Sequence, residues 1–133
     1  DNWGGVKKLT ASDGTAGDSF GSGVSISGDT VIVGASQHLT DGYSPGYAYI
    51  FSRDQGGADN WGEVEKVTAS DTASGDEFGY SVSISADTAI VGARYDNDPV
   101  FGLDAGSVYI FSIGDGDSHK KSALPSIFML LLD

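Results

Sequence analysis

Residues 3–35 read WGGVKKLTASDGTAGDSFGSGVSISGDTVIVGA, and residues 61–93 read WGEVEKVTASDTASGDEFGYSVSISADTAIVGA. The two stretches stand 58 residues apart, and 22 of their 33 positions are identical. A second matched pair follows, GYAYIFS at 46–52 and GSVYIFS at 106–112, now 60 apart because two extra residues precede the second copy. A module of this size that occurs twice has an apolar face for a neighbouring copy to cover. The chain reads as two copies of one supersecondary unit.

Each unit reads as strand. In Phe20–Ser27, Phe20, Val24 and Ile26 share one face with Gly or Ser between them, the period-two pattern of a half-buried strand. Ser27-Gly28-Asp29 makes a tight turn with Gly28 free to take positive φ. The matching Ala86 either avoids positive φ or carries strain. Thr30–Gly34 is short and nearly all apolar, so both its faces are expected to be covered. In Gly46–Ser52, Tyr47, Tyr49 and Phe51 face one way, Ala48 and Ile50 the other. Val6–Ala11 and Val64–Ala69 read as Trp-led strands, and nothing in Asp1–Ser112 has helical periodicity.

Four strands per unit predict an all-β chain of four-stranded antiparallel β-propeller blades, two per chain, in an assembled or incomplete propeller. Two duplicated sheets stacked as a sandwich satisfy the same pattern. Blade one spans about 20–69 and blade two about 78–112, within a repeat region at 1–112. Residues 3–11 form a strand that completes another blade, and 113–133 are a tail outside the repeat. The Phe-Gly and Val-Gly-Ala glycines (Gly21, Gly34, Gly79, Gly92) are expected where sheets approach face to face. Trp3 and Trp61 are expected to pack on adjoining strands.

Composition narrows the partners. The chain has 133 residues, 20 Gly, 3 Pro and no Cys, with a formal net charge of −12. Such a surface repels phosphate backbones and anionic lipid, so nucleic acid is excluded as a partner. The lack of cysteine removes disulfides and thiolate chemistry without indicating a compartment. The sequence begins without a leader pattern, as a processed chain would. Its longest apolar run, Ile127–Leu132, is far too short to span a bilayer, so no membrane insertion is expected.

Phe20-Gly21, Val24-Ser25-Ile26, Gly28-Asp29 and Val33-Gly34-Ala35 resemble the FG-GAP repeat, as do Phe78-Gly79, Val82-Ser83-Ile84, Asp87 and Val91-Gly92-Ala93. That family builds the propeller of integrin alpha subunits and of many secreted bacterial surface proteins. The Trp-led lead-in and the Tyr-Ile-Phe close resemble the bacterial variety, over roughly Trp3–Phe111. The resemblance implies a secreted or cell-surface location, protein or glycan binding, cell adhesion, and often calcium in a hairpin loop. Here that hairpin has shrunk to Ser27–Thr30 and Ser85–Thr88. One carboxylate cannot assemble the roughly six to eight oxygens that calcium prefers. Asp29 and Asp87 are read instead as Asx-type turn residues bonding nearby backbone.

Other acidic loops are the candidates for calcium. Asp13 and Asp18 recur as Asp71 and Asp76, and the loops after the Val-Gly-Ala strands hold Asp41 in one copy and Asp96, Asn97 and Asp98 in the other. Asp115 and Asp117 form a third group. Solvated turns that cap strand ends are the alternative for each. Tyr43, Tyr80 and Tyr95 sit near loops and offer stacking surfaces to a ligand. His38 and His119 stand outside any recognisable catalytic setting, and no nucleophile elbow or zinc-peptidase motif occurs, so no enzyme is expected.

Two blades do not close a propeller, and the second lacks a repeat-derived fourth strand. One solution is a homo-oligomer, with a trimer of six blades leading, in which each N-terminal strand completes the next chain's second blade. The other is a piece of a longer propeller whose tail acts as a strand substitute. Two functions follow: a non-catalytic binding or adhesion module, or a structural scaffold with calcium-stabilised loops and no ligand of its own.

Overall fold

The two hairpins built on Phe20–Ala35 and Phe78–Ala93 each grow into a sheet by adding strands on one side only. The computed structural model describes residues 4–37, 45–114 and 127–130, the last in backbone alone. Strands β1 (Phe20–Ser27), β2 (Thr30–Ala35), β3 (Tyr47–Ser52) and β4 (Gly62–Val67) form one antiparallel sheet in that order. Strands β5 (Phe78–Ser85), β6 (Thr88–Ala93), β7 (Ser107–Ile113) and β8 (Ile127–Leu130) form the second in the same order. The all-β, two-sheet repeat architecture is thereby established.

The registers repeat with the sequence. Val24 pairs Val33 and Ile26 pairs Val31 in the first hairpin, as Val82 pairs Val91 and Ile84 pairs Ala89 in the second. Both first strands slip register just after their Phe, between Phe20 and Gly23 and between Phe78 and Ser81. Gly28 has φ +55° and Ala86 has φ +50°, so the second turn keeps the conformation and bears the strain of a Cβ in it.

Two expectations are corrected. Val6–Ala11 forms no strand, since a strand needs an edge to pair with and its repeat mate β4 has one in β3. β4 runs from Gly62 to Val67 rather than from Val64 to Ala69. The fourth place in the second sheet, which the repeat does not supply, is taken by Ile127–Leu130 of the tail, pairing β7 as a substitute strand.

The sheets stack face to face, with β1, β2 and β3 against β5. Ile32, Ala48 and Ile50 of the first sheet join Phe78, Ile84, Ala89, Val91, Tyr109 and Phe111 of the second in one buried cluster. The opposite side of the first sheet holds Val33, Ala35, Tyr49 and Phe51, covered by Leu9, Ala11, Phe20 and Trp61. Tyr49 and Phe51 thus point away from Ala48 and Ile50, and Ile32 and Val33 are buried on opposite faces, as the alternation requires. Val24 and Ile26 depart from expectation: they are mostly exposed, because what covers their mates Val82 and Ile84 is the first sheet itself.

The glycines explain the closeness of the stack. A Cβ on Gly34 would lie 1.8 Å from the Gly79 carbonyl oxygen, and one on Gly79 would lie 2.2 Å from that of Tyr47. Gly21 and Gly92 meet no facing sheet, so only one glycine of each motif pair has the expected task.

Candidate functional site

The repeated acidic loops lie between a lead-in segment and the first strand of each sheet. In the first copy each carboxylate is committed separately. The Tyr49 hydroxyl donates to Asp13 Oδ1 at 2.9 Å, and Lys66 Nζ pairs with Asp13 Oδ2 at 2.5 Å. Lys66, helped by Tyr49, holds the Asp13 carboxyl below its ordinary range. Burial, helped by Asp13, pushes the Tyr49 phenol up to about 12. The same Lys66 ammonium sits 3.8 Å from the Tyr47 ring centre, a cation–π contact.

Asp18 is buried and well supplied with donors. Its oxygens accept from the Thr15 amide at 2.7 Å, from the Thr15 hydroxyl at 2.8 Å and from the Gln37 side-chain amide. Burial works against its charge, but these donors outweigh it and hold the carboxyl below the usual range. Asp18 therefore ties the loop to the residues after β2, helped by the Gln37 amide donating to its carbonyl at 3.2 Å.

The second copy keeps the geometry and loses the donors. Asp76 accepts from the Ala73 amide at 2.5 Å, and the Tyr95 amide donates to its carbonyl at 3.2 Å. Ala73 replaces Thr15 and Tyr95 replaces Gln37, so the hydroxyl and the side-chain amide are gone. Asp76 is almost wholly buried, and its Oδ1 has no hydrogen-bond donor. Burial, then the neighbouring carboxylates of Asp96 and Asp71, raises its pKa. Those two flank the Tyr109 hydroxyl, Asp96 at 2.7 Å and Asp71 at 3.1 Å, and burial with Asp96 pushes that phenol strongly up. Since one hydroxyl proton serves one acceptor at a time, this cluster is short of donors.

Of the six candidate metal ligands, the structure gathers Asp71, Asp76 and Asp96 and separates Asp13, Asp18 and Asp98. Asp98 is used locally, accepting from the amides of Val100 at 2.6 Å and Phe101 at 2.8 Å. Among the described residues, no group of three or more Asp, Glu, His or Cys is arranged to hold a metal ion. Among the described residues the hairpin carboxylates contact side chains: Asp29 pairs with Arg53 at 3.1 Å and Asp87 accepts from the Thr88 hydroxyl at 3.2 Å. Trp3, His38, Asp41, Tyr43, Asp115, Asp117 and His119 lie outside the described residues.

Tyr80 and Tyr95 come together around a residue that the sequence reading missed. The Arg94 guanidinium stacks 3.9 Å from the Tyr80 ring centre and 4.6 Å from that of Tyr95, and its Nε bonds Glu77 at 2.7 Å. Both rings remain partly exposed. The cluster belongs to the second copy alone: the first has Ser19, Ser22, Ser36 and Gln37 at those positions. Departure from the repeat was the available signal, and it names Arg94 and Glu77 as well as the tyrosines. The β6–β7 loop that starts at Arg94 also presents Val100, Phe101 and Leu103, all largely exposed.

No helix among the described residues is long and apolar enough to cross a membrane. Comparison with curated proteins gives no match. The FG-GAP repeat family model matches residues 3–51 and 61–111, one stretch for each copy. By these two matches, which take in most of the sequence, the chain belongs to the FG-GAP repeat family.

Proposed function

We propose that this chain is a non-catalytic binding or adhesion module of a secreted or cell-surface protein. Its two sheets act as β-propeller blades, and its ligand is a protein or a glycan. The observation that carries this reading is the exposed Tyr80–Arg94–Tyr95 stack. Tyr and Arg are, with Trp, the side chains enriched at binding hot spots, because each offers a large surface with a polar end. A planar guanidinium held against two rings and anchored by Glu77 is ordered before any ligand arrives, which lowers the entropy lost on binding. The apolar tip at Val100, Phe101 and Leu103 lies on the same loop and favours a protein partner.

The test is binding of the labelled chain to arrays of glycans and of extracellular matrix proteins, beside the Tyr80→Ala/Tyr95→Ala variant. The reading expects at least a ten-fold loss of signal in the variant, with thermal stability unchanged. Equal signals from both proteins contradict it.

A calcium-stabilised scaffold is the second reading, favoured by the donor-poor carboxylate of Asp76 beside Asp96 and Asp71. Asp71, exposed as a residue, already turns one carboxylate oxygen towards this cluster through the Tyr109 hydroxyl. A calcium-dependent rise in melting temperature that disappears in Asp76→Asn supports this reading. No rise in the unmodified chain removes it.

A further inference from the structure

The contact between the two sheets uses different faces of equivalent units. The first sheet contributes Gly23, Ser25, Ser27, Ile32, Gly34 and Ala48; the second contributes Gly79, Val82 and Ile84. Every one of these has a repeat mate, and the mates lie on the two outward faces. Ile32 is 0% exposed and its mate Ile90 40%; Ala48 is 0% exposed and its mate Val108 53%. In the other direction, Ile84 is 6% exposed and its mate Ile26 62%, beside Val24 at 67%. A Cβ on Gly79 would strike Tyr47, whereas one on its mate Gly21 would meet nothing within 4 Å.

The polar contacts follow the same division. Ser25 Oγ accepts the Ile84 amide at 3.1 Å, and Ser27 Oγ accepts the Ala86 amide at 3.0 Å. The mates of those hydroxyls, Ser83 and Ser85, are exposed on the second sheet. The mates of those amides are in Ile26 and Gly28 of the first sheet. The chain thus carries both halves of an interface that it already forms once.

We propose that a second copy of this chain covers these faces: Gly21, Val24 and Ile26 of one copy dock against Ser83, Ser85, Ile90, Gly92 and Val108 of the other, repeating the internal stack. The occupant is argued from continuity with that internal contact, whose residues recur on these faces with Ser81 in place of Gly23 and Val108 in place of Ala48. None of the named residues is charged. The −12 net charge of each copy therefore opposes association through long-range repulsion, and added salt strengthens it. Because the contact is heterologous, each pairing leaves one open face at either end, and copies add until a ring closes. The proposal rests on the blade reading and names a partner for it.

The test uses two full-length double variants, Val24→Lys/Ile26→Lys and Ile90→Lys/Val108→Lys, whose altered positions are exposed in the single chain. Solution mass is read by light scattering at matched concentration in 0.5 M salt, about the range where repulsion beyond a few ångströms is screened. Circular dichroism confirms unchanged strand content. The unmodified chain is expected at two or more chain masses and each variant alone at one. An equimolar mixture of the variants is expected at two, since each keeps the face the other lacks. An unmodified chain that stays at one mass overturns the proposal, as does either variant self-associating like the unmodified chain. Neither result touches the Tyr80 and Tyr95 test, so failure here is distinguishable from failure of the binding reading.

Discussion

Gly34 in β2 lies so close to Gly79 in β5 that a Cβ on Gly34 would stand 1.8 Å from the Gly79 carbonyl oxygen. Gly34 is held on both sides by its ladder partners Gly23 and Ala48, and Gly79, in the bulge after Phe78, is packed against Tyr47 and Ala35, so neither has room to move aside. Gly34→Ala is therefore expected to destabilise the chain by about 3 kcal/mol or more, the upper range for overpacking. Its repeat mate behaves differently: a Cβ on Gly92 meets only the Ser81 hydroxyl, at 2.4 Å, which can rotate away. Gly92→Ala should cost no more than about 0.5 kcal/mol, as at an unconstrained surface site. Urea unfolding of the two variants checks the contrast, and equal losses would contradict the described stack.

Asp18 and Asp76 occupy the same place in the two copies but should respond with opposite sign. Asp18 has a lowered pKa in the folded chain, so its stabilising contribution is present above the ordinary value of 3.8 and is lost as pH falls through the folded value. Asp18→Asn is expected to destabilise at pH 7 by about 1–2 kcal/mol through weakened charge-assisted bonds, with the difference shrinking in acid. Asp76 has a raised pKa, so its contribution is present below 3.8 and is lost as pH rises through the folded value. An Asn there keeps an acceptor for the Ala73 amide and offers a donor to Asp96. Asp76→Asn should stabilise at pH 7 by about 1 kcal/mol, and this advantage should vanish below the ordinary carboxylate range. Melting temperatures from pH 3 to pH 7 decide both signs.

Ala86 holds φ +50° where its mate is Gly28. Relief of a left-handed Cβ is worth roughly 1–2 kcal/mol, offset in part by the greater freedom of glycine in the unfolded chain. Ala86→Gly should raise stability by up to about 1 kcal/mol in chemical denaturation. A loss instead would mean that the turn does not take this conformation.

Much of the fold was legible because the repeat states it twice. The bounds of β1, β2, β5 and β6 follow from Phe-Gly, Gly-Asp or Ala-Asp, and Val-Gly-Ala. What the pattern could not supply was the neighbour of each face. Val24 and Val82 are the same residue in the same motif, and only the position of the other sheet makes one exposed and the other packed. Val6–Ala11 failed as a strand for the same reason, since strand formation depends on an available edge as much as on the residues in it. At the candidate site, the donor-poor state of Asp76 was readable from Thr15 becoming Ala73. The Arg94 cluster required geometry, because nothing in the spacing of Tyr80 and Tyr95 says that both rings contact one guanidinium.

The most direct test of the stacked arrangement is residue-resolved amide hydrogen exchange in dilute solution, then over a rising concentration series. Dilute chain should protect the amides of Ile84 and Ala86, which donate to Ser25 and Ser27 across the interface, and leave those of Ile26 and Gly28 to exchange quickly. Rising concentration should then slow Ile26 and Gly28 as a second copy supplies Ser83 and Ser85. Rapid exchange at Ile84 and Ala86 in dilute chain, matching Ile26 and Gly28, would contradict the account at its base.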